Sequence, residues 1–183
     1  IADSFGWPKR NIAVNGLDAR VVALKLGLGR DEGQLRFTRG LDTVNHVLEA
    51  GESADDVIEV PVCTLDKVLE GRRPTLIKID VEGYETEVLA GAGQALANPG
   101  LMAVIMELNG SGMRYGFDEM ALHRDLLGRG FATYRYHPLE RALEPLHGAQ
   151  SGSGNTVYVR DAALLAERVR TARKYRLGTG VEI

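Results

Sequence analysis

The sequence predicts an α/β fold built on a mostly parallel sheet with an antiparallel closing strand. Three observations carry that reading. Strand-like and helix-like segments alternate through the middle of the chain, the order that lays helices over a parallel sheet. Leu76, Ile77, Ile79 and Val81 form a short β-branched-rich run suited to a strand covered on both faces. Residues 131–161 then read as strand, long connection, strand and helix, a hairpin-like pair that sets an antiparallel strand beside the parallel ones.

Residues 1–16 are polar and turn-prone, punctuated by Pro8 and Asn15-Gly16, with a short helix over residues 9–14. Residues 20–28 (RVVALKLGL) read as a strand, with Gly27 and Gly29 at its far end. After a turn at residues 30–33, residues 34–38 alternate as a second strand with Leu35 and Phe37 on one face. Residues 39–56 lack a period and read as a mobile loop holding a short helical piece at 44–49. Residues 57–62 form a strand ending at Pro61, and Thr64 caps a helix over residues 65–69 that Gly71 stops. The central strand over residues 76–81 leads through Gly83 into a helix that Gly91 and Gly93 break. Asn98-Pro99-Gly100 is a turn, and residues 101–108 (LMAVIMEL) are another buried strand with Glu107 near its end. Asp118 caps a helix closed by Gly130, and residues 131–137 alternate as a strand. Residues 156–160 form the last strand, and Asp161 caps a helix running through Lys174. No repeat and no domain boundary is visible, so the 183 residues read as one domain.

Composition removes several classes. The formal charge of −3 gives no global attraction to nucleic acid or to a membrane surface. No apolar run reaches the ~18–20 residues that span a bilayer, and nothing reads as a signal peptide. Cys63 is the single cysteine, so no internal disulfide forms, which fits a reducing, cytoplasmic setting. The histidines His46, His123, His137 and His147 lack zinc-like spacing. The basic residues Arg168, Arg170, Arg173, Lys174 and Arg176 suit a helix C-terminus; without interleaved aromatics they do not indicate nucleic-acid binding.

Asp80 and Glu82 come just after the central strand, and in an open parallel sheet ligands bind outside the carboxyl ends of the strands. The same two carboxylates also suit the positive N-terminus of the next helix. Spacing alone leaves both readings open.

The residues 62–68 (VCTLDKV), 75–91 (TLIKIDVEGYETEVLAG), 104–109 (VIMELN), 154–159 (GNTVYV) and 11–17 (NIAVNGL) together resemble the FkbM-type S-adenosylmethionine-dependent methyltransferases. The resemblance implies a Rossmann-like methyltransferase sheet that lacks its first strand–helix–strand unit. The glycine-rich turn and second-strand acid that usually hold the cofactor are not in these residues, and the chain begins at Ile1 rather than methionine. We therefore expect an N-terminally incomplete domain, with an upstream segment in the natural protein and, without it, an uncovered edge on the central strand.

The resemblance also implies the chemistry. Asp80, Glu82 and Glu107 stand as catalytic candidates, with Asp80 as general base and Glu107 orienting the acceptor. Asp80 also stands on the cofactor side with Gly27, Leu28 and Gly29; these three either line the adenine pocket or form a tight turn. Asn109, Tyr84 and Tyr115 stand as substrate contacts, and Lys78 either serves the site or pairs with a carboxylate. Asp80, Glu107 and Asn109 form an all-oxygen set that suits a magnesium ion, as in some methyltransferases of this fold. The expected activity is S-adenosylmethionine-dependent O-methylation of a hydroxyl on a small molecule or sugar. The segments 39–56 and 110–116 would shape the acceptor pocket. The alternative is a non-catalytic remnant or interaction module of the same fold, homo-oligomeric through its exposed sheet edge.

Overall fold

The computed structural model describes residues 5–38, 47–48 and 57–182. The loop expected over 39–56 and its helical piece lie outside the described residues, save Val47 and Leu48. These two are buried beside the second strand, where Leu48 N–H donates to the Arg36 carbonyl at 2.8 Å.

Helix α1 (Gly6–Val14) opens the chain, with Pro8 in its first turn, where a missing N–H costs nothing. Next comes a three-stranded sheet, formed by β1 (Gly27–Leu28), β2 (Gly33–Thr38) and β3 (Val57–Cys63) in the order β1-β3-β2. β3 pairs parallel with β1 and antiparallel with β2. The strand expected over residues 20–28 shrinks to Gly27–Leu28. Its ladder begins only at Gly27↔Val62, and upstream of that point Val21, Val22 and Leu24 are exposed. Apolar patterning makes a strand only where a partner supplies hydrogen bonds.

Helix α2 (Leu65–Leu69) starts where expected, with Thr64 Oγ1 accepting from Lys67 N–H at 3.1 Å. Then come β4 (Leu76–Ile79), α3 (Glu85–Ala90), α4 (Gly93–Ala97) and β5 (Ala103–Met106). A 3-10 turn (Ser111–Tyr115) leads into α5 (Glu119–Gly128), capped by Asp118. The chain ends in β6 (Ala132–His137), β7 (Ala142–Pro145), β8 (Thr156–Val159) and α6 (Ala162–Thr171), capped by Asp161.

These later strands form a five-stranded sheet in the order β4-β5-β8-β6-β7. The expected mostly parallel sheet is corrected here. Within this sheet only β4 and β5 pair parallel; β8 runs antiparallel between β5 and β6, and β7 pairs antiparallel with β6. The reason is topological. β6 returns after α5 in the same sense as β5, leaving a gap between them that the last strand fills from the opposite direction. β4, β5 and β6 thus point their carboxyl ends at one rim. β4 forms the other edge, and no described strand pairs with its outer side; Leu76 there is 52% exposed.

The core lies on one face of this sheet, where Ile79, Val104, Met106 and Tyr158 pack against Val88, Leu89, Leu96 and Leu126. On the other face, Ala103, Val157 and Val159 meet Ala162 and Leu165 of α6. Arg160 joins the layers: its guanidinium stacks over Phe131 at 4.3 Å and donates to the carbonyls of Leu96 and Asn98.

The two sheets meet at Gly91. A Cβ on Gly91 would lie 2.1 Å from the Gly29 carbonyl oxygen, so the C-terminal end of α3 sits directly against the end of β1. Arg30 pairs with Glu87 at 2.9 Å across the same joint, and Asp66 N–H donates to the Gly91 carbonyl. We expect Gly91→Ala to separate the sheets locally and to lower unfolding free energy by about 1–3 kcal/mol in urea melts. An unchanged midpoint would mean that the joint is not tightly packed.

Candidate active site

The site grows out of the turn between β4 and α3. Tyr84 N–H donates to the Val81 carbonyl at 3.3 Å, and the two central residues both have positive φ, Glu82 at 51° and Gly83 at 99°. Gly83 is required twice over. Its φ suits glycine, and a Cβ there would meet the Ser111 carbonyl carbon at 2.5 Å and the Gly112 nitrogen at 2.8 Å. Glu82 has no such licence, and a left-handed glutamate in a turn is strain of the kind that collects at functional sites.

Two carboxylates that sequence reasoning passed over hold this arrangement. Glu85, only 3% exposed, accepts from the N–H groups of Gly83 and Val81 at 3.3 and 3.4 Å. Glu119 accepts from Gly110 and Gly112 N–H at 2.9 and 2.7 Å, fixing the segment just after β5. The turn that carries Asp80 and Glu82 therefore packs on the segment that continues from Glu107 and Asn109. Glu85 reads in sequence as an ordinary acid in a helix's first turn; its one signal is its place two residues after an obligatory glycine.

The register pairs Ile79 with Met106, so Asp80 and Glu107 are the next residues out of two neighbouring parallel strands. They leave the sheet side by side at one rim. Asp80 is exposed and pairs with Lys78 Nζ at 2.7 Å, which realises the carboxylate pairing open to Lys78. Glu107 is half-buried and, with Asn109, lines a cavity of about 240 Å³ closed by the segment before β8. Asn109 Oδ1 accepts from Ser111 N–H at 3.0 Å. Asp80 does not line that cavity.

Tyr84, Tyr115 and Phe117 form an aromatic cluster with ring centroids 5.4 to 6.2 Å apart. Tyr115 also donates from its hydroxyl to the Val47 carbonyl. Burial, with Glu87 nearby, holds the Tyr84 phenol above its ordinary value, so it stays protonated. Gly27, Leu28 and Gly29 lie at the inter-sheet joint, where Gly27 and Gly29 press on Val62 and Gly29 also faces the Tyr84 ring. His137 turns away to Glu144 at 2.8 Å across β6 and β7. Magnesium finds no support: no group of three or more His, Cys, Asp or Glu among the described residues could hold a metal ion.

A larger cavity of about 530 Å³ lies at the opposite, amino ends of β4 and β5. Its Asp66 is committed to the N–H groups of Gln94 and Ala95, and its Arg72 to the carbonyls of Val68 and Leu69. Asp66 and Arg72 thus cap helices, whereas Asp80 and Glu107 stand at the carboxyl ends of the parallel pair β4 and β5, the end at which open α/β sheets bind ligands.

The sequence profile described as "Methyltransferase FkbM domain" matches residues 4–136. The chain belongs to the FkbM methyltransferase family. A similar fold occurs in the crystal structure of methyltransferase FkbM from Methylobacillus flagellatus KT, with a TM-score of 0.52 and 16% identity. That match covers 86% of this chain and 33% of the other, so this FkbM chain spans about a third of that protein's length. No curated protein matches the chain.

Burial pushes the Glu85 carboxyl above the usual carboxylate range, with Glu119 adding to the shift and the backbone donors opposing it. Such an acid holds its proton more tightly folded than unfolded. Its stabilisation is complete below the unfolded value near pH ~4 and declines as pH rises through the folded value. Glu85→Gln keeps an oxygen for both N–H groups and removes the buried charge. We expect it to melt at or above the parent temperature at pH 7, the difference closing on acidification. Glu85→Ala should lose about 1–3 kcal/mol by stranding two donors. Equal melting of the two variants at pH 7 would remove Glu85 as the clamp of the turn.

Proposed function

We propose that this FkbM-family domain is an S-adenosylmethionine-dependent O-methyltransferase acting on a hydroxyl of a small molecule or sugar. The observation that carries the reading is the delivery of Asp80 and Glu107 by adjacent parallel strands to one rim beside a polar cavity. The residues fit the cofactor on one side. The open edge of β4 and the exposed Asp80 carboxylate suit a sulfonium cation, with the Tyr84 wall beside Gly29 as the neighbouring surface. The glycine-rich turn that would cradle the methionine end is not in this sequence.

When bound, S-adenosylmethionine supplies an electrophilic methyl group. Glu107, half-buried at the cavity, is the residue placed to take the proton leaving an acceptor hydroxyl, and Asn109 orients that hydroxyl. Asp80, held by Lys78, supplies negative charge on the cofactor side, and Glu85 keeps the turn that carries Glu82 in its shape. A cytoplasmic setting belongs to this reading; among the described residues no helix is long and apolar enough to cross a membrane.

The open β4 edge favours a second reading, an interaction module that adds a strand from another copy. Titration with S-adenosylhomocysteine by calorimetry separates the two. The enzyme reading expects binding that Asp80→Ala weakens without a comparable loss of thermal stability. With cofactor and acceptor supplied, Glu107→Gln should lower kcat about 10²- to 10⁴-fold. A dimer without affinity for S-adenosylhomocysteine, even in a chain extended upstream, would overturn the enzyme reading.

A further inference from the structure

The segment before β8 is built rather than loose. Ser151 is 4% exposed; its N–H donates to Thr156 Oγ1 at 2.9 Å, and its hydroxyl donates to the Ser153 carbonyl at 2.8 Å. Arg135 of β6 donates to the Ser151 carbonyl at 3.1 Å. Gln150, immediately before this clamp, lines the same 240 Å³ cavity as Glu107 and Asn109. Its Nε2 is buried and, among the described residues, has no hydrogen-bond partner. An orphaned buried donor is destabilising, and one in a native site calls for a ligand or another explanation.

The lining specifies the ligand's chemistry. Among the described residues, Glu107 is the one charged group facing the cavity, and no cation lines it to hold an anion. No aromatic ring among them lines it to stack on a planar ligand. What remains is a carboxylate, two side-chain amides and three hydroxyl-bearing side chains, those of Ser151, Ser153 and Thr156. That set matches a neutral, hydroxyl-rich molecule whose hydroxyls donate to Glu107 and whose oxygen accepts from Gln150. A volume of about 240 Å³ falls below the ~300–1,000 Å³ of pockets for drug-sized ligands, which favours a single ring.

We propose that the cavity between Glu107–Asn109 and Gln150–Ser153 is a subsite for one neutral sugar ring or cyclic polyol, with Gln150 Nε2 as its specificity donor. It rests on the methyltransferase reading for its role as acceptor site, though not for its existence.

The test uses methyl α-D-glucopyranoside and myo-inositol as neutral probes, glucuronate as the anionic probe, and side-chain amide NMR signals as the readout. The neutral probes should shift the Gln150 and Asn109 amide signals, and glucuronate should bind more weakly because it faces Glu107. Gln150→Met keeps length and removes the donor. It should melt at or above the parent temperature and bind the neutral probes about 3- to 10-fold more weakly. Unchanged affinity in Gln150→Met, an unmoved Gln150 signal with both neutral probes, or tighter binding of glucuronate would each overturn the proposal. Cofactor binding is scored separately with S-adenosylhomocysteine. Loss of that alone removes the methyl-transfer role and leaves the subsite standing; loss of polyol binding alone removes the subsite.

Discussion

The contact between the turn after β4 and the segment after β5 is the constraint on which the rest of the site depends. Gly83 lies so close to Ser111 and Gly112 that no side chain fits between them. Two carboxylates brace the contact from either side: Glu85 accepts from Val81 and Gly83 N–H of its own turn, and Glu119 from Gly110 and Gly112 N–H of its own segment. Neighbouring parallel strands would in any case end near one another. Each carboxylate fixes its own irregular segment, and the close approach at Gly83 sets the two segments against each other, so the candidate site residues keep their places. A buried carboxylate held by backbone donors suits that purpose, because it rigidifies irregular chain without needing a helix or a ladder.

The rim divides into two environments. Asp80 is exposed, ion-paired with Lys78 and set beside the open edge of β4. Glu107 is half-buried and faces amides and hydroxyls. Two carboxylates on adjacent strands thus sit in surroundings of different polarity. The aromatic cluster of Tyr84, Tyr115 and Phe117 lies against the same turn and joins the five-stranded sheet to the segment at Val47.

Much of the fold was legible in the sequence where a local rule suffices. Thr64, Asp118 and Asp161 each cap the helix assigned to them, and the Gly91–Gly93 break divides α3 from α4. What escaped depends on partners distant in sequence. Residues 20–28 have a strand's composition but find a partner only at Gly27 and Leu28. The run at β7 is short and mixed, and pairing with β6 makes it a strand. Strand direction is absent from any window of sequence, so the mixed sheet could not be read from periodicity. Of the candidate site, Asp80 and Glu107 were visible as polar ends of apolar runs, and Asn109 entered through the family resemblance. Glu85 and Gln150 were not, because a helix-start acid and a loop amide look ordinary until burial is known.

The placement of β8 has a consequence for how the molecule is made. β8 is the last of the described strands, yet it lies between β5 and β6. Until residues 156–159 leave the ribosome, β5 and β6 cannot be joined, and both expose unpaired backbone on their facing sides. A nascent chain therefore waits, from the emergence of β6 until that of β8, with the middle of its sheet open, the condition under which strands recruit foreign edges. Tyr158, wholly buried and hydrogen-bonded to His123 of α5 at 2.9 Å, then closes the gap like a keystone set after the arch.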